Sequence, residues 1–307
     1  MNKILFFGNE QLGTGLSTTA PTLQALIAEG YDITGVIVAQ KDIGKSRKSK
    51  EQEIVQLAES HNIPVFAPTK LADIRDDLVA MKAEAGVLIA YGKMVPQSII
   101  DIFPSGIINI HPSLLPLHRG STPIESVILG GDTKTGVSLM QLAAEMDAGP
   151  VYSQTTIELN GDETKQVLAD ELQRLGAEML IRDLPKILDR TLLPTIQDDS
   201  LATYDGRISK ADGLLDFNQP ALTLERQIRA YASWPRSRTS INGMEVIITK
   251  AHVMPSGASI GAVVNNNGQL GIGCSEGILI IDELMPVGKK VMSASAYING
   301  YLNDRAS

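Results

Sequence analysis

The run Ile108-Asn109-Ile110-His111-Pro112 sets a carboxamide and an imidazole two residues apart on a stretch whose β-branched residues predict a strand. Side chains at i and i+2 share a strand face with Cα atoms roughly 6.6 Å apart, so both can converge on one small polar group. Pro112 cannot extend a central strand, which puts the pair at the carboxyl end, where open α/β sheets bind ligands. Alone, Asn-x-His is more often a polar strand end that caps its own turn. The second element is Glu145-Met146-Asp147-Ala148-Gly149-Pro150, between predicted strands at 136–141 and 151–156. Asp-x-Gly is ordinary turn chemistry. Brought near His111, however, the Asp147 carboxylate would hold one imidazole tautomer and stabilise the imidazolium. Asn109, His111 and Asp147 together would handle a proton and offer a neutral oxyanion donor, without a nucleophile. Ser113 does not fill that gap, because its flank is no G-x-S-x-G elbow. The four histidines and Cys274 show no metal-ligand spacing.

Two further segments belong beside this pair. Leu117 to Ile124 reads as a loop entering a helix, with Ser121 or Thr122 as N-cap and Pro123 at the first helical position. Arg119 within it would steer an anion or rest on the surface. Ala90-Tyr91-Gly92 ends the preceding strand and would line the same crevice. Near the start, Gly8 to Gly15 invites a dinucleotide reading, but the spacing is not G-x-G-x-x-G and the second strand lacks the acidic end that reading needs.

The elements that must position these residues follow from periodicity. Predicted strands at 3–7, 33–38, 64–66 and 85–90 alternate with helices at 19–29, 51–61 and 71–82, the rhythm of a parallel sheet with helices on both faces. Strands at 106–111 and 136–141 extend it, and a helix at 163–189, interrupted by Pro185, closes the region. A polar linker covers 190–205. Beyond it come short strands at 239–242, 245–249, 259–264, 270–274 and 277–284, with Asn242-Gly243 and Asn267-Gly268 as hairpin turns and one helix at 222–231. The expected fold is α/β: a Rossmann-like, mostly parallel domain over 1–189, a linker over 190–205, and a small OB-like β-barrel domain over 206–307.

Composition bounds the classes. The chain has 307 residues, 43% hydrophobic and 20% charged, and one cysteine, so no disulfide can form within it. The opening apolar run is too short for a signal peptide and no segment approaches the length of a membrane span, which predicts a cytoplasmic protein away from membranes. A net charge of −8 excludes a protein that coats nucleic acid non-specifically. The charge is uneven: residues 1–205 hold 17 Lys and Arg against 27 Asp and Glu, residues 206–307 hold 10 against 8. No apolar stripe is left unassigned, so a monomer is expected.

With Asn109, His111, Ser113-Leu-Leu-Pro116 and Met146-Asp-Ala-Gly-Pro150 assembled, the chain resembles the formyltransferase family that uses N10-formyltetrahydrofolate. The resemblance implies that Asn109, His111 and Asp147 are catalytic. It implies a folate site at Ser113, Leu114, Leu115 and Pro116, with Tyr91 and Gly92 beside it, and no metal. Asp198 to Tyr204, Ile228-Arg-Ala-Tyr-Ala-Ser-Trp-Pro235 and Pro286-Val-Gly-Lys-Lys-Val-Met-Ser293 are similar to the members acting on methionyl-tRNA. The implied reaction is transfer of the formyl group to the α-amino group of methionyl initiator tRNA, for translation initiation, with no role for DNA. Two departures stand out. The loop after the second strand lacks the family's prolines but keeps Lys41, Lys45, Arg47, Lys48 and Lys50, which the resemblance assigns to acceptor-stem phosphates of the tRNA. The first loop, 9–18, is longer than usual. Three rivals remain: a formyltransferase for a small amine (an amino sugar-nucleotide or glycinamide ribonucleotide), a non-enzymatic RNA-binding protein, and a nicotinamide oxidoreductase. Trp234-Pro235 and Gly288-Lys-Lys290 oppose the first. The complete Asn109, His111 and Asp147 set opposes the second, and the glycine spacing the third.

Overall fold

The computed structural model describes residues 2–39, 53–266 and 268–302. Strand β1 (Lys3–Phe7) leads through a long loop to α1 (Pro21–Ala28), and the chain alternates onward through β2 (Asp32–Ile37), α2 (Glu53–Ser60), β3 (Val65–Phe66), α3 (Arg75–Met81), β4 (Ala85–Leu88), α4 (Gln97–Ile100) and β5 (Ile107–His111). These five strands are parallel, in the order β3-β2-β1-β4-β5. The short pair-forming strand β6 (Arg119–Gly120) and α5 (Pro123–Gly130) follow. Then β7 (Lys134–Gln141) and β8 (Val151–Glu158) add to the β5 edge antiparallel, completing seven strands. Parallel central strands are covered on both faces; every residue of β4 and β5 is buried, the polar Asn109 and His111 included. One core layer gathers Leu5, Phe7, Leu78, Leu88, Ile99 and Phe103.

Helix α6 (Lys165–Leu188) continues through Pro185, where the sequence predicted an interruption. The proline removes one helical N–H, but Leu180, Leu184 and Ile187 are buried on either side of it and hold the helix in line. The stretch predicted as a plain linker contains β9 (Tyr204–Asp205), which pairs in parallel with β6.

Two compact units partition the chain: residues 1–124, 134–158 and 166–206 form one, and residues 125–133, 159–165 and 207–307 the other. In the second unit, α7 (Ala221–Ala230) accompanies an antiparallel sheet of β10 (Ser237–Ile241), β11 (Met244–Met254), β12 (Val263–Asn266), β13 (Gln269–Gly273) and β14 (Ile278–Pro286), ordered β10-β11-β14-β13-β12. β15 (Met292–Ser293) pairs with β14, and α8 (Ala294–Tyr297) follows. Asn242 and Gly243 both take positive φ, 49° and 80°, as a two-residue hairpin requires. The sheet curls over a core that includes Leu224, Ile228, Val246, Leu270, Leu279 and Tyr297. Among the described residues no helix is long and apolar enough to cross a membrane.

Candidate active site

Strand β5 delivers Asn109 and His111, 6% and 5% exposed, to its carboxyl end on one face. The Asn109 carboxamide has no hydrogen-bond partner among the described residues, so its N–H groups remain available. His111 is held from one side: Nε2 lies 2.9 Å from the carbonyl oxygen of His118. A carbonyl only accepts, so Nε2 carries the proton and Nδ1 is the nitrogen that gains and loses one. Nδ1 faces Asp147 Oδ1 at 3.8 Å, beyond direct hydrogen bonding. The tautomer is therefore set by the His118 carbonyl, whereas the sequence expectation gave that task to Asp147.

Asp147 sits at φ 50° in the turn after β7, a left-handed conformation that aspartate tolerates. Its Oδ2 accepts from the backbone N–H of Gly120 at 2.8 Å. Gly120 itself has φ 117°, and a Cβ there would lie 2.4 Å from the Asp205 carbonyl oxygen. Only glycine lets β6 come this close to β9 while aiming its N–H at the carboxylate. Gly149 is required for a similar reason, since a Cβ would lie 1.9 Å from the Gln141 carbonyl oxygen.

Around these groups runs a hydrogen-bond lattice from the polar segment before β9. Gln197 Nε2 donates to the carbonyl oxygens of Asp147 and Gly149 at 2.8 and 2.7 Å. Its Oε1 accepts from Arg119 Nε and Nη2 at 3.1 and 2.8 Å. The guanidinium also reaches Tyr204 Oη at 2.8 Å and Asp199 Oδ1 at 2.6 Å. Arg119 is 1% exposed, so it neither steers an anion nor rests on the surface; it is a buried cross-link. Thr203 binds the backbone N–H of His118 through its hydroxyl at 2.7 Å and that of Arg119 through its carbonyl at 2.9 Å. The His118 ring pairs with Asp205, Nδ1 to Oδ2, at 3.0 Å. Sequence reasoning gave no site role to Gln197, Thr203, Tyr204 or Asp205, because no spacing rule links residues some fifty to ninety positions apart; the signals were the segment's polarity and the family likeness of Asp198 to Tyr204.

Ser113 to Pro116 follow the strand directly. Ser113 is fully buried and spends its hydroxyl on the Leu117 carbonyl at 2.7 Å, while Ser138 Oγ ties the Ser113 carbonyl to the Leu115 N–H. Leu115 is buried and Leu114 half-buried. Tyr91 leaves the end of β4, the strand beside β5, and packs edge-on to Phe7 in the core, 3% exposed. Burial pushes its phenol up to about 12, and its hydroxyl finds no partner among the described residues. Gly92 has φ 73° and open space where a Cβ would stand. Lys41, Lys45, Arg47, Lys48 and Lys50 lie outside the described residues. No group of three or more His, Cys, Asp or Glu side chains gathers as a metal would need among the described residues. A shallow depression of about 370 Å³ lies at the opposite end of β5, lined by Phe103, Gly106 and Gln141, and contains none of the candidate catalytic or folate residues.

Comparison with known proteins is consistent along the whole chain. Residues 3–184 match the family model described as Formyl transferase, and residues 207–302 match Formyl transferase, C-terminal domain. The methionyl-tRNA formyltransferase of Methylococcus capsulatus is 36% identical, with 97% of each chain covered. That of Herpetosiphon aurantiacus is 38% identical over 94% of this chain and 96% of the relative. Among solved structures, the N-formyltransferase from Helicobacter canadensis, in complex with folinic acid and dTDP-3-aminofucose, shares the fold with a TM-score of 0.70 at 19% identity, covering 92% of this chain and 98% of its own. Two matched domain models and relatives aligned end to end establish that the chain belongs to the formyl transferase family and is an enzyme of formyl transfer.

Proposed function

We propose that this enzyme transfers the formyl group of N10-formyltetrahydrofolate to the α-amino group of methionyl initiator tRNA, with Asn109, His111 and Asp147 as its catalytic residues. The observation that carries the reading is the free Asn109 carboxamide on the strand face of a histidine whose Nδ1 is left open beside a carboxylate. That set suits acyl transfer without an acyl-enzyme. The neutral α-amine forms the new C–N bond as the carbonyl electron pair moves to oxygen. Asn109 donates an N–H to that oxygen. The attacking nitrogen gives its proton to His111 Nδ1, and Asp147 steadies the resulting imidazolium. Nδ1–H then supports the oxyanion and finally passes the proton to the departing N10 as its bond to carbon breaks. Ser113, Leu114, Leu115 and Pro116, with Tyr91 and Gly92, are assigned to the folate. The unpartnered Tyr91 hydroxyl beside the carboxyl end of β4 supports this, since a buried polar atom needs a partner.

The catalytic domain is assigned to residues 1–189, the linker to 190–205 and a tRNA-contacting OB-like domain to 206–307, with Lys41, Lys45, Arg47, Lys48 and Lys50 on the acceptor stem. The kinship of the full chain to methionyl-tRNA formyltransferases supports the tRNA as acceptor. A cytoplasmic monomer follows from the same reading. The test is incubation of the purified protein with N10-formyltetrahydrofolate and charged initiator tRNA, followed by mass spectrometry of the released amino acid. N-formylmethionine is expected with the wild type and none with His111→Ala. Formylation of an amino sugar-nucleotide or glycinamide ribonucleotide instead would reassign the acceptor.

A further inference from the structure

We infer that Gln197 is a positioning residue for the reaction, and that the segment from Gln197 to Asp205 clamps both groups that govern His111. The inference rests on the assignment of His111 and Asp147 proposed above. Each side of the Gln197 amide is saturated. Its nitrogen has two N–H groups and uses both, on the carbonyls of Asp147 and Gly149. Its oxygen has two lone pairs and uses both, on Arg119. Asp147 is thereby held from its backbone, by Gln197, and from its side chain, by Gly120 N–H. The left-handed turn has no helix or sheet ladder to fix it, so these bonds decide where the carboxylate stands.

The same segment fixes the other side of the imidazole. Thr203 grips the backbone at His118 and Arg119, and β9 pairs with β6. The His118 carbonyl that accepts from His111 Nε2–H and the Gly120 N–H that donates to Asp147 Oδ2 therefore hang from one strand pair. Arg119 joins the two halves of the clamp, since its guanidinium spans Gln197, Asp199 and Tyr204 while its backbone lies between His118 and Gly120. A displacement of the segment would move tautomer and carboxylate together, which is how a residue that touches no substrate comes to govern turnover.

Gln197→Glu separates this role from simple anchoring. A glutamate keeps the acceptor toward Arg119, now as an ion pair, but turns a carboxylate toward two carbonyl oxygens in place of an NH2. We expect cooperative melting to persist and kcat to fall roughly 10- to 100-fold, the usual effect of loosening a group that orients a reacting residue. KM for both substrates should stay near the wild-type value, and the pH profile of kcat should shift, because the His111 and Asp147 spacing sets it. Should the glutamate variant fail to melt cooperatively, Gln197→Met, neutral and of similar length, carries the same comparison. A folded variant of either kind with wild-type kcat and an unmoved pH profile overturns the inference. Wild-type protein with no formyl transfer in the same assay would instead overturn the proposed function.

Discussion

At the scale of single residues, the informative fact is which nitrogen of His111 is free. The His118 carbonyl takes Nε2–H, leaving Nδ1 toward Asp147. Asp147→Asn is then not a mild change. The Gly120 N–H needs an acceptor, so the new amide must turn its oxygen that way, and its NH2 is left pointing at Nδ1. A donor there occupies the lone pair that would take the amine's proton. General acid–base catalysis contributes on the order of 10²- to 10⁴-fold, and a loss of that size in kcat is expected while the fold and melting midpoint persist. Near-normal turnover by this variant would remove Asp147 from the mechanism. Asn109, His111 and Asp147 were legible because strand alternation and a chain-stopping proline bring the first two together, while only the resemblance brings the third. The clamp was not legible: Arg119 reads on paper as a surface cation, and nothing in its neighbours announces Gln197.

At the scale of elements, strands such as β1 and β4 were read well because they are apolar and buried along nearly their whole length. Boundaries drifted where chemistry overrides pattern. Helix α1 starts at Pro21, two residues late, because its N-terminal N–H groups are capped from a distance. Both carboxylate oxygens of Glu10 accept from Thr22 and Leu23 N–H at 2.9 Å. No capping-box spacing predicts a cap twelve residues upstream. Glu10 is fully buried, and desolvation pushes its carboxyl up from 4.5 to about 7 against the pull of those bonds. The native state thus holds the proton more tightly than the unfolded chain. Its contribution to stability is full below pH 4.5 and is lost as pH rises through about 7. Compared with Glu10→Gln, which cannot titrate, wild-type stability should decline across that window by about 3 kcal/mol. Paired thermal melts between pH 4.5 and 8 read the difference directly; a gap that stays constant with pH means the carboxyl titrates normally.

At the scale of the whole molecule, the proposed acceptor poses an electrostatic problem that a small amine does not. The chain is acidic, at −8, and the whole excess lies in residues 1–205, where 27 Asp and Glu face 17 Lys and Arg. A polyanionic tRNA must approach such a surface through local clusters of positive charge. The densest in the sequence is Lys41, Lys45, Arg47, Lys48 and Lys50, within ten residues of one another. Each phosphate neutralised releases counterions, so binding weakens with salt by a log–log slope of roughly 0.7 to 0.9 per contact. Replacing Lys45, Arg47 and Lys48 by alanine should therefore lower the slope of log(kcat/KM) for methionyl-tRNA against log salt by about 2. The folate KM should not change, because these residues have no assigned role toward the co-substrate. The same titration with free methionine amide as acceptor supplies the control, since one amine offers no phosphates to lose. A triple variant whose salt slope matches wild type would leave the basic cluster without a role toward the tRNA and move phosphate recognition to the second unit, where Lys289 and Lys290 stand exposed between β14 and β15.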